Sequence, residues 1–234
     1  MPAARESLLD AAFTALAGGS WAAVRMVDVA SAAGVSRQTL YNEFGGKDGL
    51  ARALVRREAD AYLSGVERVL TQPPGATDPG ERLAAAAVWT VRTATDNPLV
   101  RAVLTGCWGE RLPAPAGTCP PPPRAARSLR PRAAERAEGL APLPTPVELL
   151  GQVRERSVRL LAGQWPRAGP GELARACDTA ARLALAYVVA PAPAADVATV
   201  VRGALAAPPL SAPGRRVSAP SRRAGAPSPR RSPD

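Results

Sequence analysis

Apolar residues recur at helical spacing along most of the chain, and Gly or Pro closes each run. Leu8, Leu9, Ala12, Phe13 and Leu16 place a first helix over 5–17, stopped by Gly18 and Gly19. Met26, Val29, Ala30 and Ala33 form one face of a second, short helix over 26–33, broken by Gly34. Ser36 suits the N-cap of a third helix over 37–44, which turns Leu40, Tyr41 and Phe44 inward and ends at Gly45 and Gly46. A long fourth helix runs over 47–70, with Leu50, Leu54, Ala61, Val66 and Val69 among its apolar positions. Residues 72–80 read as a Pro/Gly linker.

The second half is helical as well. A helix over 81–96 carries Leu83, Ala86, Ala87 and Val91, and Asn97-Pro98 marks a break before a short helix over 99–108 with Leu99, Val103, Leu104 and Trp108. Over 109–146 the periodicity collapses. Pro120 to Pro123 cannot be helical, and the stretch is too long for a simple loop. Most of it is expected to be disordered, with a helical turn near 132–139. Periodicity returns over 147–165 (Val147, Leu150, Val153, Val158, Leu161, Trp165), 172–189 and 195–206 (Val197, Val200, Val201, Leu205). The helix over 172–189 has two apolar stripes. One is Leu173, Ala176, Ala180, Leu183 and Tyr187; the other is Ala174, Ala181, Leu185 and Val188. Two stripes need two partners, its own core and a second copy of the chain. Residues 207–234 form a Ser/Pro/Arg tail, expected to be disordered. The fold class is all-α.

Composition narrows the chemistry. There is no His, which removes Ser–His–Asp and Cys–His catalysis and every His-ligated metal site. Cys107, Cys119 and Cys177 are far apart, and no CxxC pair is present. Cys107 and Cys177 fall on apolar helical faces and read as core residues; Cys119 reads as exposed. No enzyme motif, cofactor or metal is implied. The longest apolar run near the end, over 183–190, is far below the roughly 20 residues that span a bilayer. A cytoplasmic protein without membrane contact is the expectation. The net charge is +10, yet residues 1–60 carry seven basic and seven acidic side chains. Eight of the ten excess charges lie in the Pro-rich stretches over 109–146 and 207–234. Paired arginines in the tail either grip DNA without sequence preference or are simply solvated.

The second and third predicted helices, with the turn at Gly34, form a helix-turn-helix. In such a bracket the second helix lies across phosphates and the third puts its first turn into the major groove. Arg37 and Gln38 suit base edges, Arg favouring guanine and Gln adenine. Thr39, Tyr41 and Asn42 suit phosphate or base contact, and Lys47 stands at a helix start where free N–H groups attract phosphate. An ordinary capped surface helix accounts for the same pattern.

The stretch Val27-Asp28-Val29-Ala30 through Ala33-Gly34-Val35-Ser36, then Thr39-Leu40-Tyr41, Phe44 and Lys47, resembles the TetR/AcrR family of bacterial transcriptional regulators. The resemblance covers residues 5–55. It implies a three-helix helix-turn-helix DNA-binding domain over 1–47, joined by the long fourth helix to a helical ligand-binding and dimerisation domain over 48–206. It implies a homodimeric repressor that leaves a palindromic double-stranded DNA operator when a small molecule binds. A regulator whose second domain only dimerises is the alternative. Thr39, Tyr41 and Lys47 resemble the family's phosphate-contacting positions; Arg37, Gln38 and Asn42 fall where its members read bases. Where the family commonly caps its second helix with Ser or Thr, this chain has Val24 and Arg25. The cap is weaker by roughly 1 kcal/mol unless replaced, and Arg25 either reaches a phosphate or stays solvated. Trp89, Leu104, Trp108, Leu149, Val153 and Leu160 are the candidates for an apolar ligand site, each equally consistent with core. Few acids in these helices favour a neutral or acidic apolar ligand over a cationic one. The expected dimer interface is an antiparallel four-helix arrangement of 172–189 and 195–206 from two chains. The run from Tyr41 to Val66 is similar to actinobacterial members that regulate lipid or alkane metabolism.

Overall fold

The computed structural model describes residues 2–71, 78–114, 143–165 and 170–206. Most of the Pro/Gly linker, the core of the Pro-rich stretch with Cys119 and the turn near 132–139, and the tail lie outside the described residues. The chain is all-α, with no strand among the described residues. Its α-helices are α1 (Pro2–Ala17), α2 (Met26–Ala32), α3 (Arg37–Phe44), α4 (Lys47–Thr71), α5 (Pro79–Asp96), α6 (Pro98–Thr105), α7 (Pro146–Leu161), α8 (Pro170–Val189) and α9 (Ala194–Ala206). A short 3-10 turn, Trp21–Ala23, joins α1 to α2, and another, Ala162–Gln164, follows α7.

The caps explain the breaks. The Ser36 side chain accepts from the Thr39 N–H and starts α3; Gly45, at φ 70°, stops it in the left-handed region that glycine enters without a Cβ clash. Asn97 ends α5 and starts α6, its Oδ1 accepting from Leu99 and Val100 N–H. Thr145 and Glu148 form a reciprocal capping box at α7. The Thr145 backbone N–H and, secondarily, its hydroxyl both donate to the Glu148 carboxylate and hold it below the ordinary carboxylate range, although it is exposed.

Helix α4 packs on both halves of the molecule. It touches α1 and α3 on one side and α5, α6 and α7 on the other. Leu50, Leu54, Val55, Leu63, Val66 and Leu70 are all buried along it. A polar chain crosses the same helix. Asp10 of α1 accepts from Arg57 at 2.6 Å, Arg57 donates to Glu58 at 3.1 Å, and Glu58 accepts from Asn97 Nδ2 at 2.7 Å. Glu58 is 9% exposed, so these partners satisfy a carboxylate that burial would otherwise penalise. Helices α8 and α9 pack on α5 and on each other.

Several sequence expectations are corrected here. Helix α1 begins at Pro2, since proline is tolerated in a first turn. Tyr41 is 48% exposed and not inward, because only Leu40 and Phe44 of that helix reach the core. Ala61 is exposed on α4. Helix α6 stops at Thr105, where Gly106 adopts φ 72°; Trp108 and Cys107 therefore lie beyond it, and Cys107 is exposed rather than core. The stretch 109–146 is ordered at both ends: residues 109–112 form a turn, and α7 starts at Pro146, leaving Val147 79% exposed. Trp165 follows the second 3-10 turn instead of ending a helix. On α8, Val188 belongs to the core stripe with Leu173, Ala180 and Ala184. The other stripe runs through Ala174, Ala181, Leu185 and the exposed Val189.

Gly65 tests the α4–α5 packing. A Cβ there would overlap the Trp89 ring, which stacks on Tyr62 with centroids 5.6 Å apart. Gly65→Ala gains about 1 kcal/mol of helix propensity but forces the stacked pair apart, costing about 1–3 kcal/mol. Chemical denaturation should give a net loss of stability. A stabilised variant would show that the ring moves freely.

Candidate nucleic-acid interface

Helices α2 and α3 are joined by Gly34 at φ 67°, a conformation that sets the angle between them. Buried Val29, Ala30 and Leu40 lock the pair onto α1 and α4. This leaves the first turn of α3 outward, with Arg37, Gln38, Thr39, Tyr41 and Asn42 all exposed. The structure thus brings five of the seven candidate DNA contacts onto one exposed helix. Gln38 Nε2 donates to Asn42 Oδ1 at 2.7 Å, which pre-orients both amides one turn apart. The Thr39 hydroxyl lies 2.9 Å from Ser36 Oγ and is fixed by the cap. Arg37 has no ion pair among the described residues. Its charge sits at a helix N-terminus, where the dipole disfavours a cation by about 0.3–1 kcal/mol.

Carboxylates nearby are neutralised. Glu43, at the end of α3, accepts from Arg5 at 3.0 Å, and the Arg5 guanidinium also lies 4.9 Å from the Phe44 ring centroid. Arg25 makes two bonds to Asp28, at 2.7 and 3.0 Å. It makes no side-chain cap of α2, and its guanidinium is held still more firmly protonated by the Asp28 hydrogen bond. Helix α2 thus starts without a side-chain cap, and Asp28, paired with Arg25, meets the favourable end of the helix dipole in its first turn. Lys47 is half-buried. Its Nζ donates to Ala22 O at 3.0 Å and stands 5.6 Å from the Trp21 ring centroid. Sequence reasoning missed this 3-10 strap, the Arg5–Glu43 pair and Gly49. A Cβ at Gly49 would collide with the Phe44 carbonyl, so glycine alone lets α4 start this close to α3. The glycine after a GGKD run was the available signal.

The candidate ligand residues separate. Of these candidates only Val153 lines the small cavity among α4, α5, α7 and α8, which holds about 20 Å³. Tyr62, Val66, Leu83, Thr90, Ser157, Cys177 and five alanines complete it. Leu104 and Leu149 are buried core; Trp89, Trp108 and Leu160 are half-buried against it. Burial pushes the Tyr62 hydroxyl and the Cys177 thiol both up to about 12, so neither is ionised at neutral pH. Cys177 is therefore no nucleophile. A wider open groove of about 550 Å³ between α4 and α7 is lined by Arg56 and by Asp60, Glu148 and Glu155, whose three carboxylates do not suit an acidic ligand. Among the described residues, no helix is long and apolar enough to cross a membrane.

The family of bacterial regulatory proteins, tetR family, matches residues 8–54. Over 66 residues the chain is 47% identical to the HTH-type transcriptional regulator AlkX of Mycobacterium tuberculosis, covering 28% of this chain and 31% of that protein. Over 102 residues it is 34% identical to an uncharacterized HTH-type transcriptional regulator of the same organism, covering 44% and 49%. The chain thus spans less than half the length of these two relatives. A crystal structure of a transcriptional regulator of the TetR/AcrR family from Thermobifida fusca shares the fold, with a TM-score of 0.52 at 18% identity, covering 86% of this chain and 95% of that one.

The two cations at this face should behave oppositely in the free protein. Lys47→Ala removes an occupied hydrogen bond and a ring contact, and should lower the unfolding free energy by about 1 kcal/mol. Arg37→Ala relieves a charge opposed to the helix dipole and should leave stability unchanged or raise it by a few tenths, about 0.3 kcal/mol. Urea denaturation measures both. A clear loss for Arg37→Ala would mean that its side chain supports the fold.

Proposed function

We propose that the chain is a TetR-family regulator, which its N-terminal domain resembles over residues 8–54, and that it is a homodimeric, DNA-binding transcriptional repressor. The observation that carries this reading is the first turn of α3. There an exposed, unpaired Arg37 sits beside a pre-oriented Gln38–Asn42 pair, while the adjacent Glu43 is held by Arg5. In this reading Arg37, Gln38 and Asn42 meet base edges, and Thr39, Tyr41 and Lys47 meet phosphates. Arg25 turns toward phosphate only by leaving Asp28. The DNA-binding unit is residues 1–47. Residues 48–206 dimerise through the outer stripes of α8 and α9, where Leu185, Val189 and Val200 leave apolar surface uncovered in one chain. Two copies held by this face present two α3 helices to a palindromic operator.

Release by a small apolar molecule would work by expanding the cavity at Tyr62, Val153 and Ala184. Its polar groups are already satisfied, with Tyr62 Oη 3.2 Å from Thr90 Oγ1 and Ser157 Oγ donating to the Val153 carbonyl, so the wall suits an apolar guest. One observation favours the second reading, a regulator without a ligand. The cavity is of about 20 Å³, room for about one water, against roughly 300 Å³ for an ordinary ligand pocket. A thermal-shift screen with fatty acids and other neutral apolar compounds separates the two. A rise in melting temperature supports release by ligand, and none across the series supports the second reading.

Five substitutions, in three groups, follow from the assignment. Tyr41→Ala and Lys47→Ala should weaken binding to all duplexes alike, Lys47→Ala also reducing the salt slope by about one. Arg37→Ala or Gln38→Ala should lower discrimination at one base pair per half-site by about 1–3 kcal/mol. Leu185→Glu should give a monomer by light scattering, with much weaker operator binding. Gel shifts at several salt concentrations measure the first two effects. Unchanged affinity in both phosphate-contact variants would overturn the docking geometry.

A further inference from the structure

Helix α4 is not the only link between the helix-turn-helix and the rest of the chain. The first N–H of the 3-10 turn Trp21–Ala23 has no partner within that turn, and the Ser20 side chain does not cap it. It donates instead to the Arg111 carbonyl at 2.8 Å. The acceptor belongs to a closed turn, since Leu112 N–H returns to Gly109 O at 3.0 Å. That turn is anchored by buried Pro113 and half-buried Leu112 and Trp108. On its other side the 3-10 turn is gripped by Lys47, through the Ala22 carbonyl and the Trp21 ring. Lys47 is the first residue of α4.

We infer that the turn over 109–113 is a second tether, which clasps the Trp21–Ala23 strap and thereby positions Lys47 for DNA. The inference rests on the DNA-binding reading above, and adds Trp21, Leu112 and Pro113 as positioning residues. Its physical basis is a series of short links: the turn fixes the Trp21 amide, the strap fixes the Ala22 carbonyl and the indole, and these fix the Lys47 ammonium. A lysine free on its four-carbon stem loses rotamer entropy when it meets a phosphate; one held by the strap has already lost most of it. The Arg111 side chain is exposed and takes no part, because the acceptor is its backbone oxygen.

The experiment uses the full chain. Leu112→Ala/Pro113→Gly loosens the turn, and the single variant Pro113→Ser does so more mildly if the double one fails to fold. Arg111→Ala keeps the acceptor. Without DNA, amide exchange at Trp21 should quicken by about tenfold or more in the loosened variants and stay slow in Arg111→Ala. With DNA, the loosened variants should bind more weakly by about three- to tenfold with a shallower salt slope, and adding Lys47→Ala should cause little further loss. Unchanged Trp21 exchange overturns the tether. Quickened exchange with full, additive dependence on Lys47 overturns its role in positioning. If wild type and Lys47→Ala bind duplex equally, the phosphate contact of Lys47 fails, and if neither binds duplex, the DNA-binding reading fails; in both cases the exchange measurement still decides whether the tether exists.

Discussion

One apolar stripe on α4 runs the length of a single continuous core, and most of the structure follows from it. Leu50 and Leu54 pack among the residues that hold α1, α2 and α3, while Tyr62, Val66 and Leu70 pack with α5, α7 and α8. A 25-residue helix is about 37 Å of nearly rigid rod. Helix α3 therefore cannot rotate independently of α5, α7 and α8 without breaking contacts at one end of the rod. The Asp10–Arg57–Glu58–Asn97 chain adds a directional constraint to the non-directional burial. It lets a carboxylate sit in the interface, at a cost that is offset only while all its partners stay in place.

Electrostatics acts locally in this molecule. The first 60 residues are neutral in sum, yet their carboxylates are not spread evenly over the surface. Glu43 is held by Arg5, Asp28 by Arg25, and Glu6 and Asp10 both face Arg57. These pairs are exposed and add little to stability. Their effect is on the field, since they quench negative charge around α3, where Arg37 makes no ion pair among the described residues. A neutral domain can thus present a positive face where contact matters.

Much of this was legible in the sequence. The spacing of Leu8, Leu9, Ala12 and Leu16, the Ser36 cap and the Gly45 stop fixed α1 and α3, because local periodicity and capping are local properties. The exposed first turn of α3 followed from the same pattern. Contacts between segments far apart in sequence were not legible. Tyr41 sits beside Leu40 in a helical register that fits either face, and only the placement of α4 turns it outward. Trp108 and Cys107 looked helical because the apolar run continues past Gly106, whose positive φ ends it. The ordered turn over 109–112 was hidden by the proline-rich composition around it, and its order comes from Trp21, which lies far away in the chain. The candidate ligand residues were chosen as large apolar side chains at helical spacing. That criterion cannot separate a cavity wall from a filled core, and of the six only Val153 lies on the wall, much of which is built of alanines.

The central claim is that α3 reads duplex DNA from a two-fold symmetric dimer. Selection from a random-sequence duplex pool by the full-length chain tests it most directly. The account predicts enrichment of a palindrome whose half-sites are centred about one helical turn, roughly 10 base pairs, or a multiple of it apart. Recovery of no preferred sequence, or of a single asymmetric site, would contradict it.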